Sequence, residues 1–367
     1  MTKHENFVRM MRGEGAAWLP LDLPMTPPIV DEMQARRGTR HSTDAFDLDF
    51  HHVSFTFRTD VAAWRAAFAA LGAGVPDHAE IGPAAVTHVR PAPESVGKAY
   101  HFRTMLHPLE VIQRVEQLDT LPWPDLTDAS AIAKLPGEVA RGREAGRAVF
   151  AGTECTVFEL AWYMRGMDNL FMDLAENNGI ADWLLDWVTN LSVARVRAYA
   201  LAGVDAIGLG DDVGVQRGMM MAPEFWRTHL KPRLARVIQT IRQHQGDKHI
   251  YVRYHSDGDI REILDDLIEV GVDILNPVQP ECMPVDEVLA AYGDRLAFWG
   301  MIGTQTTMPF GSVADVHAVV DHLADLARGG ARMIIAPTHV LEPDVPWENI
   351  EALVERVKAT RLDALVL

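Results

Sequence analysis

The sequence contains very little cysteine: Cys155 and Cys282 are the only two among 367 residues. They lie too far apart in the chain to form a redox motif, and two cysteines cannot build a disulfide framework. The N-terminal segment also lacks the apolar core of a signal peptide. This usage is typical of a reducing compartment, and we expect a cytoplasmic protein.

Positive charge is scarce as well. Lys and Arg total 34 against 51 Asp and Glu, which gives a formal net charge of −17, and no basic stripe interrupts the acidic composition. Nucleic acids and acidic membrane surfaces are therefore not expected as partners. No apolar run reaches the about 18 residues that a membrane-spanning helix needs.

What the sequence does contain is the composition of a folded globular protein, with 48% apolar and 23% charged residues. From about residue 147 onward, short apolar runs alternate with longer segments of helical periodicity. Including two earlier candidates, eight runs have the character of buried parallel strands. They lie at 16–24, 49–57, 148–152, 204–210, 249–255, 272–278, 296–302 and 332–337.

Eight such units predict an α/β fold, a single (β/α)8 TIM barrel that spans residues 1–367 as one domain. The residues before the first run form an N-terminal extension, and the segment 75–125, rich in Pro and His, is interpreted as an inserted excursion over the barrel mouth. The alternative is a doubly wound open sheet, but no G-x-G-x-x-G or Walker pattern follows any strand.

In a barrel of this kind the active site lies at the carboxyl ends of the strands. The residues that directly follow the apolar runs are unusually rich in imidazole, carboxylate and amide groups. They are Glu154 after the third run, Asp211 and Asp212 after the fourth, His255 and Asp257 after the fifth, Asn276, Gln279 and Glu281 after the sixth, and His339 after the eighth.

His255 and Asp257 are separated by one residue, so both side chains can point to the same side of the chain. With His339 from another strand end they would form a set of two histidines and one carboxylate, which suits a catalytic zinc or ferrous ion. The alternative is a metal-free hydrogen bond between the histidine and the aspartate.

The remaining candidates have other expected roles. Asp211 or Asp212 is a general base, because like charges held close together raise one pKa, or else a helix cap. Glu154 is an acid, a metal ligand or an ion-pair partner of Arg165. Asn276, Gln279 and Glu281 are expected to contact the substrate.

Three long strings of the sequence resemble the uroporphyrinogen decarboxylase superfamily. They are HSDGDIREILDDLIEVGVDILNPVQP, GLGDDVGVQRGMMMAPEFWRTHLKPR and GGARMIIAPTHVLEPDVPWENIEALVERV. The resemblance implies a (β/α)8 barrel with its site at the strand ends. It also implies one of two chemistries: cofactor-free decarboxylation of a tetrapyrrole, or zinc-dependent methyl transfer between a corrinoid and an acceptor.

The decarboxylase signature is poorly met. That family opens with a Pro-Val-Trp-x-Met-Arg-Gln-Ala-Gly-Arg run whose arginines hold the substrate's propionates. The matching stretch here, WLPLDLPMTPPIVDEM, contains no arginine. His339 matches a histidine of the decarboxylase pattern Gly-His-Gly-x-x-Pro-Asp.

The methyltransferase branch uses a His-x-Cys motif and a later cysteine. The resemblance places His255 at the histidine, Asp257 at the first cysteine and His339 at the second. Both thiolates are thus replaced, which implies a harder ligand set than that of the family.

The leading hypothesis is a metal-dependent methyltransferase-like enzyme. It would act on a small methylated substrate or a methyl-corrinoid carrier, with a divalent metal, expected to be Zn²⁺, at His255, Asp257 and His339. Asp211, Asp212, Glu154 and His339 would carry the catalysis, and a corrinoid would be brought by a partner protein. The alternatives are a cofactor-free decarboxylase or lyase of a small carboxylic acid, and a non-catalytic corrinoid- or small-molecule-binding protein. A homodimer is the default assembly.

Overall fold

The computed structural model of the protein describes residues 1–90, 100, 104–153 and 155–363. Its strands are β1 Phe50–Val53, β2 Glu80–Ile81, β3 Thr87–Val89, β4 Thr104–Leu106, β5 Ala148–Gly152, β6 Ala206–Gly210, β7 Gly214–Val215, β8 Gly218–Met219, β9 Tyr251–His255, β10 Ile274–Asn276, β11 Ala297–Ile302 and β12 Met333–Pro337.

The α-helices of the described residues surround these strands. They span Lys3–Met11, Pro27–Arg37, Ser42–Ala45, Val61–Leu71, Leu135–Glu144, Glu159–Arg165, Met167–Glu176, Ile180–Ala202, Pro223–His229, Lys231–His244, Leu264–Val270, Val285–Tyr292, Thr307–Phe310, Val313–Arg328 and Trp347–Ala359. Short 3-10 helices span Pro83–Ala85, Pro108–Val111, Val115–Thr120, Ala129–Ile132 and Arg261–Ile263. None of the described helices combines the length and the apolar character that crossing a membrane requires.

Seven of the strands form one parallel sheet in the order β1-β5-β6-β9-β10-β11-β12. If β2–β4 and β7–β8 are set aside, the strands of this sheet are neighbours in chain order. Helices form the connections between them, as in a parallel βα architecture. The sheet confirms the predicted α/β class and seven of the eight predicted strand runs.

The first predicted run, 16–24, makes isolated bridges instead of a continuous ladder. Leu21 bridges to Ile335 of β12, and Met25 bridges to Leu341. On the other side, the N–H of Asp49 donates to the carbonyl of Leu21 at 3.4 Å. Pro20 and Pro24 interrupt the ladder because proline has no N–H to donate. Complete closure of a barrel stays a prediction.

Within the predicted excursion 75–125, β2, β3 and β4 pair with one another as a small antiparallel sheet. In the described part of the chain, none of these strands pairs with the main sheet. The backbone N–H of Tyr100 donates to the carboxylate of Glu342, which follows β12, at 2.7 Å. The assignment of the whole chain to one domain stays a prediction.

The sheet buries both of its faces. Along β5, Ala148 and Phe150 belong to an inner apolar cluster, whereas Val149 and Ala151 belong to the larger cluster between sheet and helices. The N-terminal helix covers one end of the inner cluster, where the ring of Phe7 packs edge-on at 5.5 Å against Phe50 and at 5.6 Å against Tyr251. The N-terminal extension therefore contributes to the core.

Three aspartates at the amino ends of the strands link neighbouring segments. Each stands directly before a strand, and its carboxylate accepts a backbone N–H from the adjacent segment. The pairs are Asp49 with Leu21 at 3.0 Å, Asp205 with Val149 at 2.8 Å and Asp273 with Val252 at 2.7 Å. In barrels, the amino-terminal face serves stability, which gives these aspartates a structural role.

Asp205 has two further partners. Its carboxylate also accepts from Lys248 Nζ at 2.9 Å and lies 3.3 Å from His4 Nε2. Burial by itself raises the pKa of Asp205, but the bonds from His4, Val149 and Lys248 outweigh it and lower the pKa to about 2. The stabilisation is therefore complete above the ordinary pKa of 3.8 and is lost as the pH falls towards about 2.

We predict that Asp205→Asn lowers the free energy of unfolding at pH 7 by about 2 kcal/mol, the equivalent of the pKa shift. The deficit should shrink as the pH falls below about 4, because the wild-type carboxylate then becomes protonated too. Urea unfolding at several pH values measures both effects.

Asp294→Asn is the matched control, because its carboxylate is 80% exposed and lies 3.8 Å from Arg295. Its effect should stay within about 0.5 kcal/mol. A deficit for Asp205→Asn that does not depend on pH would contradict the role of its charge.

Candidate functional site

The candidate site lies where β6, β9 and β10 end. In the parallel register His255 pairs with Gly210 on one side and with Asn276 on the other. Because all three end their strands at the same level, the loops that follow them converge. Asp212 and Asp257 stand two residues beyond Gly210 and His255.

His255 lies between two carboxylates. Its Nε2 is 3.6 Å from Asp212 Oδ1 and 3.9 Å from Asp257 Oδ1. One ligand atom from each of the three side chains lies within 4.8 Å of the others, a spacing that could hold one metal ion. Among the described residues no other set of three His, Cys, Asp or Glu side chains meets this spacing.

Asn276 determines the orientation of the His255 ring. Its Nδ2 donates to the carbonyl of Trp299 at 2.6 Å, so its Oδ1 faces His255 Nδ1 at 2.7 Å and accepts a hydrogen bond. The hydrogen-bond network thereby assigns the proton of a neutral ring to Nδ1. Nε2 then presents its lone pair to the space between the carboxylates, as metal-ligating histidines do.

Glycine is required beside this histidine. A Cβ on Gly210 would lie only 2.7 Å from the Cβ of His255. After Asp257 the chain turns at Gly258 with a φ of +83°, and a Cβ there would lie 2.6 Å from Val215 N. The two glycines therefore let the loops approach each other closely enough to bring Asp212 and Asp257 together.

The carboxylate of Asp212 is held by the backbone. Its Oδ1 accepts from the N–H of Asp257 at 2.8 Å, and its own N–H donates to Glu159 Oε2 at 3.1 Å. Burial lowers the pKa of His255, but the charges of Asp257 and Asp212 outweigh it, and the net direction is upward. The group therefore attracts a positive charge, whether a proton or a metal ion.

Glu159 and Tyr163 extend the site behind Asp212, and neither was predicted from the sequence. Glu159 is buried, and its Oε1 accepts from the hydroxyl of Tyr163 at 2.7 Å. Burial raises the pKa of Glu159, and the neighbouring charge of Asp212 raises it further. A glutamate and a tyrosine four residues apart in a largely apolar helix were the signal for this pair.

Asp211 has a different environment from Asp212. It is fully buried, and its carboxylate accepts backbone N–H groups from Val157, Phe158 and Glu159 at 2.8–2.9 Å. Burial and the charge of Glu159 raise the pKa of Asp211, whereas the three N–H groups oppose the rise. This geometry is that of a cap for the segment that starts the helix Glu159–Arg165, and a general-base role stays a prediction.

A cavity of about 310 Å³ opens beside Asp257 at the carboxyl ends of β9 to β12. His339 lies in its wall with Asp257, so two of the three predicted metal ligands share this cavity. In the described part of the chain it is Asp212, and not His339, that completes the three-residue group with His255. A ligand role for His339 stays a prediction. The other lining residues are Gln279, Thr304, Gln305, Val340, Glu342, Asp344 and Val345.

Gln279 and Glu281, two of the predicted substrate contacts, form hydrogen bonds with neighbouring loops. Gln279 Oε1 accepts from the N–H of Gly258 at 3.1 Å, and Glu281 Oε1 accepts from the hydroxyl of Thr306 at 2.8 Å. Burial raises the pKa of Cys282, and so does Glu281, so this thiol is held in its neutral form. The candidate Glu154 lies outside the described residues.

The family model of uroporphyrinogen decarboxylase (URO-D) matches residues 104–360, well over half of the chain. The chain belongs to the uroporphyrinogen decarboxylase family. The resemblance noted from the three sequence strings is thereby confirmed. No curated protein matches the chain.

One solved structure agrees with this family fold. A methyltransferase from Methanosarcina mazei is similar with a TM-score of 0.64 and 18% identity, covering 98% of this chain and 99% of that chain. At this identity the likeness concerns the fold. The complex structure of a GH113 beta-1,4-mannanase is more distant, with a TM-score of 0.39 and 9% identity over 94% of this chain and 100% of that chain.

We predict that Asn276→Ala releases the His255 tautomer. Without the amide acceptor, the neutral ring should populate the Nε2–H form, because carboxylates lie on that side. Long-range ¹H–¹⁵N spectra of histidine-labelled protein distinguish the two forms.

His244 is the internal reference, since its Nδ1 lies 2.9 Å from the Thr240 carbonyl and does not contact Asn276. Spectra in which His255 keeps its Nδ1–H form in Asn276→Ala would show that Asn276 does not orient the ring.

Proposed function

We propose that the chain is a metal-dependent methyltransferase-like enzyme of the uroporphyrinogen decarboxylase family. Its substrate would be a small methylated compound or a methyl-corrinoid carried by a partner protein. The observation that carries the proposal is the group of Asp212, His255 and Asp257, whose ligand atoms lie within 4.8 Å of one another. The similarity over 98% of the chain to a methyltransferase structure supports the reaction class.

The donor set fits a divalent metal. One imidazole and two carboxylates suit a borderline or hard ion such as Zn²⁺, Fe²⁺ or Mn²⁺, and Zn²⁺ is the simplest choice. The hydrogen bond from His255 Nδ1 to Asn276 supports it, because it leaves Nε2 as the ligand atom. Three protein ligands leave positions open for an acceptor or substrate, as catalytic sites require.

A bound metal ion would act as a Lewis acid that lowers the pKa of the group it binds. The chain's own residues have separate tasks. Asn276 orients the His255 ring, and the N–H of Asp257 holds the Asp212 carboxylate. The cavity of about 310 Å³ admits a small substrate, with His339 in its wall to hold or move a proton.

We also propose that residues 16–24 complete a closed eight-stranded barrel in a single domain. Leu21 supports this, because it bridges to Ile335 on one side and accepts from Asp49 on the other. Closure would surround the inner end of the site with protein and limit entry to the openings of the barrel.

A second candidate function is a cofactor-free lyase of a small carboxylic acid. The position of His255 between two carboxylates favours it, since an imidazolium held in this way can donate a proton without a metal. Metal content distinguishes the two candidates.

We predict that the protein binds one equivalent of Co²⁺, a spectroscopic substitute for Zn²⁺, and that His255→Ala weakens binding by at least about 100-fold. Asp212→Asn and Asp257→Asn should each weaken it by about 10-fold to 100-fold, because an amide is a poorer ligand than a carboxylate. The visible absorption of the bound ion reports both affinity and geometry.

Asp259→Asn is the matched control, because this aspartate lies in the same loop but pairs with Arg261 at 2.7 Å. His339→Ala tests the fourth position: a loss as large as that of Asp212→Asn would add His339 to the ligand set. Wild-type protein that binds no Co²⁺ would refute the metal and favour the lyase.

A further inference from the structure

The wall of the main sheet has a gap beside β1. Among the described residues, the backbone bond that joins the segment 20–25 to β1 and its approach is the one between Asp49 and Leu21. On its other side the segment is bonded to the chain around β12, through the carbonyls of Pro20 and Pro24 and the N–H of Asp22. In the described part of the chain, residues 22–25 make no backbone hydrogen bond to β1, and the gap lies there.

A cavity of about 680 Å³ occupies this gap, and we name it the seam cavity. Its walls are the segment 22–25, β1, the segment 40–44 at the start of the helix Ser42–Ala45, and the helix Leu135–Glu144. The volume is that of a small-molecule site and exceeds the about 310 Å³ of the cavity beside Asp257. The two cavities share no lining residue.

The inner end of the seam cavity is formed by Asp22 and His52. Asp22 is buried, and its Oδ1 lies 2.9 Å from His52 Nε2. Burial raises the pKa of Asp22, but His52 and Arg253 outweigh it and lower the pKa, so the carboxylate stays charged. The ring of His52 packs at 5.3 Å from Phe150 of the inner cluster, although its side chain is 45% exposed. The cavity therefore extends to residues of the inner face of the sheet.

The lining of the seam cavity is less acidic than the chain as a whole. Three arginines and three histidines line the cavity with only three acidic residues, whereas the chain carries 51 acidic residues against 34 Lys and Arg. A negatively charged ligand would therefore meet less repulsion here than over an average part of the surface. The basic residues are Arg40, His41, His51, His52, Arg141 and Arg147.

These basic residues differ in how firmly they are held. The guanidinium of Arg147 is held by hydrogen bonds that it donates to the backbone carbonyls of Leu48 and Thr43. Arg40 and Arg141 are 50% and 63% exposed, and each pairs with an exposed carboxylate of its own neighbourhood. Exposed pairs of this kind contribute little to stability, so either guanidinium can turn towards a ligand at small cost.

His51 belongs to the wall of the seam cavity. Its Nε2 is buried and has no hydrogen-bond partner in the described part of the chain. The side chain is packed against Gly142, where an added Cβ would lie 2.9 Å from the His51 Cβ. His51 therefore forms a closely packed wall that limits the cavity on the side of the helix Leu135–Glu144.

We propose that the seam cavity binds a small molecule that carries an oxyanion group, a carboxylate or a phosphate. The oxyanion lies near Arg40 and Arg141, and the body of the ligand extends towards His51 and the Asp22–His52 pair. The site is separate from the candidate metal group, so it does not depend on the proposed function.

Calorimetric titration with inorganic phosphate and with succinate tests the proposal. We expect one of the two to bind at a single site with a Kd of about 1 mM or tighter. Preference for phosphate or for succinate identifies the oxyanion. Arg141→Gln should weaken binding about 10-fold, which is the effect of losing one charged hydrogen bond. Addition of the probe should shift the imidazole NMR signals of His51 and His52.

Arg36→Gln is the matched control, because Arg36 is exposed, pairs with Glu32 and does not line the cavity. His51→Gln checks the inner contact, and the exposed Arg141→Gln keeps the test valid if His51→Gln fails to fold. Absence of binding by both probes would overturn the proposal. Binding that Arg36→Gln weakens as much as Arg141→Gln would also overturn it, since that result means non-specific charge attraction.

Discussion

The parallel pairing of His255 with Gly210 and Asn276 is the constraint on which the candidate site depends. It brings the ends of three strands to one level, so that an amide lies beside one ring nitrogen and two carboxylates lie beside the other. A shift of one residue in either ladder would turn the histidine away from its partners. The site is thus a consequence of backbone register, and the side chains add its chemistry.

Aspartate serves opposite purposes at the two ends of the sheet. At the amino ends, Asp205 is surrounded by donors that lower its pKa, so its charge stabilises the fold. At the carboxyl ends, burial and neighbouring carboxylates raise the pKa of Glu159 and of Asp211. Gathering like charges opposes folding, and such clusters are typical of functional sites.

The sequence alone predicted the parts of the structure that depend on local pattern. Seven of the predicted apolar runs are strands of the main sheet. The HSDG spacing correctly predicted that the side chains of His255 and Asp257 lie close together. It did not reveal that Asp212 joins them or that Asp211 caps a helix, because two adjacent aspartates look alike until the fold gives them different neighbours. The role of Glu159 could not be predicted from local pattern, because its contact with Asp212 joins residues that are 53 positions apart.

Anomalous diffraction at the zinc absorption edge, from crystals grown with Zn²⁺, locates a bound ion directly. We predict one strong peak about 2.0–2.2 Å from His255 Nε2 and from carboxylate oxygens of Asp212 and Asp257. Peaks confined to surface histidines, with His255 still between two carboxylates and no metal, would contradict it. The group would then have to be understood as a site of proton transfer.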